Sequence, residues 1–306
     1  MTGARGFLGS HVVRHHLERG DTVVGVDDGS SPCDILTPLE VASCVITDDA
    51  DWIMTVHHGS VDRAYHFAAP VGGRTKIERD PLYNADALRL DAMFFDWLVR
   101  EEVGVGIYPS SSAVYGTFWQ DAHGIALHEG LFRPEVAGGT WDAPDELYGA
   151  IKLMGEVLAV RAARYGANVL CIRPFSGYGE GQKFEYPFPS ICRRAKRHED
   201  PLIVWGSGTQ TRDFIHVEDI IGATEALLAA GHEGYWAVNI GSGVPISFTD
   251  LAHLAAAAAD YQPTVETDTD MPEGVVRRYA DIKVLSRYYT PHVSLPDGIA
   301  RVMESL

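Results

Sequence analysis

Thr2-Gly3-Ala4-Arg5-Gly6-Phe7-Leu8-Gly9 is the stretch that decides the fold. Three glycines at three-residue spacing open a run, Phe7 to Leu17, whose apolar residues recur at helical intervals. Such a turn lets backbone approach a pyrophosphate closely, and the helix behind it offers free N–H groups and a positive dipole end. Asp27 stands 18 residues beyond Gly9, after the short apolar strand Thr22–Val26. A carboxylate there accepts the hydroxyls of an adenosine ribose and repels a 2′-phosphate. No Lys or Arg occurs from Asp27 through Asp62, which favours NAD over NADP. Only Met1 and Thr2 precede Gly3, whereas a strand needs about five residues. The first, central strand is therefore expected to be missing: either it lies upstream, which is the reading favoured, or another segment fills its slot.

Outward from this turn, strands and helices alternate. Arg63–Phe67, Val105–Tyr108 and Asn168–Ile172 read as apolar strands, and 82–99 and Tyr148–Ala163 as helices. That order predicts an α/β fold with a doubly wound parallel sheet. After Arg173-Pro174 the texture changes, with Gly, Pro and aromatic residues clustering from Phe175 to Pro189. The expected division is a dinucleotide-binding domain over 1–174 and a smaller, interleaved substrate-binding region over 175–306. The Ala255–Ala259 run reads as a packed helix.

Composition bounds the partners. The 306 residues carry a net charge of −17, with 46 % hydrophobic and 22 % charged residues. This balance argues against a generic nucleic-acid or anionic-membrane surface, so an anionic ligand must be met by local arginines and helix ends. No apolar run is long enough to span a bilayer and no signal-peptide layout opens the chain. Cys33, Cys44, Cys171 and Cys192 lack close pairing or metal-ligand spacing and read as reduced, partly buried thiols of a cytoplasmic protein. His11 and His15, one helical turn apart without a third ligand, read as a wet helix face, and no metal is expected.

Mid-chain, Tyr148-Gly149-Ala150-Ile151-Lys152 places a phenol and an ammonium on one helix face, with Ser110-Ser111-Ser112-Ala113-Val114-Tyr115-Gly116 upstream. These motifs, together with the glycine turn and His66-Phe67-Ala68-Ala69, resemble the extended short-chain dehydrogenase/reductase family, in its NAD-dependent nucleotide-sugar epimerase/dehydratase branch. Arg173-Pro174-Phe175-x-x-Tyr178-Gly179, Gly206 to Phe214 and Arg277 to Lys283 continue the likeness over nearly the whole chain.

The resemblance implies a Rossmann-like fold and a chemistry. In the family the tyrosine removes a proton from a sugar hydroxyl while NAD⁺ accepts the geminal hydride. A free phenol has a pKa of about 10. One positive charge at about 4 Å and an effective dielectric near 20 favours the phenolate by roughly 4 kcal/mol, about three pK units. Tyr148, Lys152 and Ser111 are the implied catalytic residues, Ser111 being four residues before Tyr115; Ser110 and Ser112 are otherwise strand-end caps. Gly3, Gly6, Phe7, Leu8, Gly9, Asp27, Ala68, Ala69, Tyr148 and Lys152 are the implied cofactor contacts. Ser111, Ser112, Ser176, Arg212 and one of Arg277 or Arg278 are the implied contacts to a nucleotide diphosphate sugar.

Departures from the family narrow the reaction. Dehydratases carry an Asp-Glu pair, and decarboxylases a Glu, where this chain has Ser112-Ala113. Epimerisation at C4 through a transient 4-keto sugar needs no further base. The alternatives are a 4-reductase or dehydratase, or an enzyme similar to the GDP-mannose 3,5-epimerases, which Trp205 to Arg212 and Pro272 to Val275 resemble; the cysteine of those enzymes falls on Ala113. Glu180 stands where the family has proline. The helices 82–99 and Tyr148–Ala163 form a dimer seam in the family, so a homodimer is expected.

Overall fold

Short apolar segments between the helical runs become parallel strands: β1 (Gly25–Asp27), β2 (Cys44–Ile46), β3 (Val61–Tyr65), β4 (Val103–Pro109) and β5 (Val169–Pro174). The computed structural model describes every residue except 30–34, 43, 47–60, 71, 73–81, 83, 102, 122–123 and 137–141. Beyond β5 follow β6 (Ser176–Tyr178), β7 (Leu202–Trp205), β8 (Thr211–His216), β9 (Tyr235–Ile240), β10 (Pro245–Ser247), β11 (Val265–Asp268) and β12 (Arg277–Arg278). β3, β4, β5 and β9 form one parallel sheet in that order, and β1 pairs with β2.

The slot of the expected first strand is held by a stub. Thr2 forms parallel bridges to Val26 on one side and His66 on the other. Its N–H donates to the Tyr65 carbonyl at 2.9 Å, and Phe67 N–H donates to the Thr2 carbonyl at 3.0 Å. Val26 N–H donates to the Met1 carbonyl at 2.8 Å. The two ladders that would otherwise be open are thus joined, giving the order β2-β1-Thr2-β3-β4-β5-β9. β1 starts at Gly25 rather than Thr22, where its ladder to β2 opens with Gly25 opposite Cys44.

Helices cover both faces, as a parallel sheet buried on both sides requires. On one face, helices Asp86–Arg100 and Glu146–Ala163 pack Phe94, Phe95, Leu98 and Ala159 against Ala64, Tyr108, Val169 and Cys171. On the other, Phe7–Glu18 and Val217–Ala230 set Leu8, Ile220, Ala223 and Leu227 against Leu170, Ile172 and Val238. A separate core of Tyr178, Phe188, Leu202, Phe214, Leu251, Ile299 and Met303 unites the later elements. There β8 pairs with β6, β10 and β12, and β7 with β11. β9 returns to pair with β5, and the helix before it packs back on the first sheet.

Cys171 and Cys192 are free and fully buried, and burial pushes both thiols up, Cys192 to about 12. Cys33, like His57, His58, Asp48, Asp49, His123 and Trp141, lies outside the described residues. Among the described residues no helix is long and apolar enough to cross a membrane.

Candidate active site

The crevice opens at the carboxyl ends of the strands beside Thr2, where the strand order reverses. Gly3 has φ +64°, and a Cβ there would lie 2.6 Å from the Phe67 carbonyl carbon. A Cβ on Gly9 would overlap the Gly3 carbonyl oxygen. Gly6 caps the helix without a side-chain bond, so the first-turn N–H groups of Phe7, Leu8 and Gly9 are available to an anion. The side chains of Phe7 and Leu8 turn elsewhere: Phe7 sets its ring edge-on to His11 at 5.6 Å, and Leu8 enters the core. Asp27 accepts the N–H of Arg5 and of Gly29, each at 2.9 Å, which fixes its carboxylate beside the turn. Ala68 N–H donates to Thr2 Oγ1 at 3.1 Å, and Ala69 follows it half-buried. This cradle fits a dinucleotide pyrophosphate. Gly9→Ala is accordingly expected to cost about 1–3 kcal/mol of stability and to weaken NAD binding at least about tenfold. Guanidinium unfolding and calorimetric titration with NAD check the two effects separately.

Across the crevice, Tyr148 lies half-buried in the first turn of the helix Glu146–Ala163, and Lys152 follows one turn later, 5 % exposed. The serine segment is pinned to this turn. Ala113 O accepts Asp145 N–H at 3.1 Å, and Gly149 lacks the Cβ that would overlap the same carbonyl. The Ser111–Ala113 turn therefore abuts the turn carrying Tyr148. The three serines separate cleanly. Ser110 donates to Glu156, Ser112 is buried, and Ser111 accepts Ala113 N–H at 3.1 Å while keeping its own proton to donate. Ser111 caps the short 3-10 turn that begins at Ser112, and neither Ser110 nor Ser112 takes the capping role the sequence left to them.

The expected arginine clamp is partly engaged already. Arg212 donates to the carbonyls of Thr211 at 2.8 Å and Val275 at 2.9 Å and lies over the Phe248 ring. Arg278 pairs with Asp145 at 2.7 Å and donates to Gln120 at 2.6 Å. Arg277 is exposed and makes no ion pair among the described residues. Ser176 opens β6, half-buried. Glu180 lies beside His216, whose Nε2 is 3.3 Å from Oε2; that contact chiefly holds the carboxyl down at about 2. His11 is not on a wet face. Its Nε2 is 2.9 Å from the Glu180 carbonyl, and burial lowers its pKa, because the segment after β6 folds back over the helix start.

One cluster was missed by the sequence reading. Glu156 and Arg173, both essentially without solvent contact, pair at 2.6 Å. Arg173 also donates to Tyr115 Oη at 2.9 Å, Tyr115 to Asn239 at 2.6 Å, and Tyr235 to Glu156 at 2.6 Å. Glu156 stands four residues after Lys152, a spacing that could have revealed it as part of the same helix face.

Residues 1–241 match the model of the NAD dependent epimerase/dehydratase family. The chain is 27 % identical to a putative GDP-L-fucose synthase 2 of Arabidopsis thaliana, over 99 % of this chain and 90 % of the relative. It is 28 % identical to a dTDP-4-dehydro-6-deoxy-D-allose reductase of a Streptomyces species, over 94 % and 88 %. Among solved structures it resembles the UDP-glucuronic acid 4-epimerase of Bacillus cereus in complex with UDP-glucuronic acid and NAD. That match has a TM-score of 0.79 at 25 % identity and covers 99 % of this chain and 97 % of the other.

Proposed function

Because this chain belongs to the NAD dependent epimerase/dehydratase family, we propose that it is a nucleotide-sugar epimerase that inverts C4 through a transient 4-keto sugar without net redox. The reading is supported by the helix that carries Tyr148 and Lys152, whose first turn abuts the Ser111–Ala113 turn, and by Ser112 and Ala113 standing after Ser111 rather than an acid. NAD, the family's cofactor, supplies hydride acceptance and return at one carbon when bound.

Tyr148 takes the proton of the C4 hydroxyl and later gives it back, Ser111 orients that hydroxyl, and Lys152 favours the phenolate. Ser112 and Ala113, the two residues after Ser111, supply no carboxylic acid for elimination of water. The diphosphate is held by Arg277, which is exposed, with Arg212 and Arg278 framing the same β8–β12 edge. The protein acts as a cytoplasmic homodimer in this reading, its seam formed by the exposed apolar residues Leu88, Val99 and Met154 on the two neighbouring helices.

A second reading, reduction of a 4-keto sugar nucleotide, is favoured by the Streptomyces relative's name. Incubation with a panel of UDP-, GDP-, dTDP- and CDP-sugars, with products resolved by chromatography, separates the two. An epimerase interconverts stereoisomers with no accumulating change in nicotinamide absorbance; a reductase consumes reduced cofactor one-for-one. If no sugar changes configuration, the C4 proposal fails.

A further inference from the structure

Lys152 is a nearly buried ammonium with no carboxylate within ion-pair distance among the described residues. A charge in such a place needs a compensating partner. What it has instead is the face of Tyr108, whose ring centre lies 4.9 Å from Nζ. The Tyr108 hydroxyl passes over Gly155, where a Cβ would overlap it, and donates to Asp91 Oδ2 at 2.7 Å. The other Asp91 oxygen is 3.1 Å from His66 Nε2, and His66 Nδ1 is 2.9 Å from Thr2 Oγ1. Asp91 Oδ1 can only accept, so the neutral histidine donates to it through Nε2, and its bare Nδ1 takes the Thr2 hydroxyl proton while Thr2 Oγ1 accepts Ala68 N–H. Asp91, His66 and Tyr108 are all at most 2 % exposed. A continuous polar chain thus runs beneath the crevice from the glycine turn to the lysine, with one formal negative charge in it.

We propose that Asp91 is a positioning residue for the reaction: acting through Tyr108, it fixes the Lys152 ammonium at the crevice floor and supplies its counter-charge. The inference rests on Lys152 being the partner of Tyr148. The charged and titratable groups around the amine are consistent with it. From helix Asp86–Arg100 comes Asp91, from the end of β3 His66, from β4 Tyr108, from β5 Cys171, and from the lysine's own helix Tyr148 and Glu156. The Met1 amino group acts on His66 from the stub. Glu156 is consumed by Arg173, and burial holds Cys171 as a thiol. Burial would raise the Asp91 carboxyl, but the His66 hydrogen bond, the Lys152 charge and Tyr108 hold it below the usual carboxylate range. Burial likewise keeps His66 neutral. Among the described residues, Asp91 is therefore the carboxylate whose charge is left for the lysine.

The chain has five lysines, so a full-length protein labelled with ¹³Cε-lysine gives few signals, and Lys152→Arg assigns the relevant one. In Asp91→Asn the Lys152 signal is expected to lose its proton about one pH unit lower than in the unsubstituted chain. Tyr108→Phe keeps the ring beneath the amine but releases the carboxylate from its fixed place, and about half that displacement is expected. Asp91→Glu restores the original titration. If Asp91→Asn folds and leaves the Lys152 titration in place, the proposal is overturned. If Asp91→Asn does not fold, an unmoved titration in Tyr108→Phe overturns it equally. The measurement needs no sugar and no turnover. A shifted lysine in a protein that converts no sugar nucleotide sinks only the epimerase reading, whereas an active enzyme with an unshifted lysine sinks only the role of Asp91.

Discussion

Tyr148→Phe is expected to lower kcat by about 10²–10⁴-fold, the range that a positioned acid–base group contributes. The loss follows from the proton, not from packing. Tyr148 is half-buried, its hydroxyl makes no hydrogen bond among the described residues, and it stands in a turn already fixed by Asp145 and Gly149 against Ala113. Removing one hydroxyl there leaves the helix and the crevice intact, so stability should stay within about 0.5 kcal/mol. NAD affinity should also hold, because the glycine turn and Asp27 are on the opposite side of the crevice. The checks are single-turnover kinetics on whichever sugar nucleotide the panel identifies, thermal unfolding, and calorimetric titration with NAD. A Phe variant that turns over at the unsubstituted rate removes Tyr148 from the mechanism. One that loses stability as well would show the residue to be architectural.

The strand–helix alternation and the two motif regions were legible because each is local: glycine spacing, apolar runs and an i,i+4 pair are properties of contiguous residues. What was not legible depended on partners distant in sequence. Thr2 closing the sheet needs Val26 and His66 on either side, and a single bridging residue has no strand signature. The roles of the three adjacent serines are chemically interchangeable in sequence and separate only because Glu156 reaches Ser110 and a turn starts at Ser112. His11 follows the wet side of a helical wheel, yet the segment after β6 covers it. Of the arginines, sequence could name the group but not that Asp145 takes Arg278 while Arg277 stays exposed. Asp91 gave no signal, since an acid within an amphipathic helix ordinarily faces solvent.

The largest stability effect is expected at the Glu156–Arg173 pair. Both side chains are at most 1 % exposed, and the guanidinium makes two bonds to the carboxylate, at 2.8 and 2.6 Å. Removing one partner strands the other charge in the interior, a loss of about 3–5 kcal/mol. Arg173→Met should therefore lower the guanidinium midpoint strongly, while the double substitution Glu156→Gln/Arg173→Met should cost less than the two single changes added together, since neither remaining group is then charged. The double-mutant cycle in equilibrium unfolding measures that coupling; additive losses would mean that the two side chains do not depend on one another. The pair also has a functional reach. Glu156 holds Ser110, the residue before Ser111, and Arg173 holds Tyr115, the residue closing the same turn. The serine turn is thus tied at both ends to an ion pair that joins β5 to the helix carrying Tyr148 and Lys152. The double variant, folded but with the Tyr115 tie removed and the Ser110 tie reduced to a neutral hydrogen bond, should keep NAD binding and lose kcat, because its serine turn is held less firmly in register with the tyrosine.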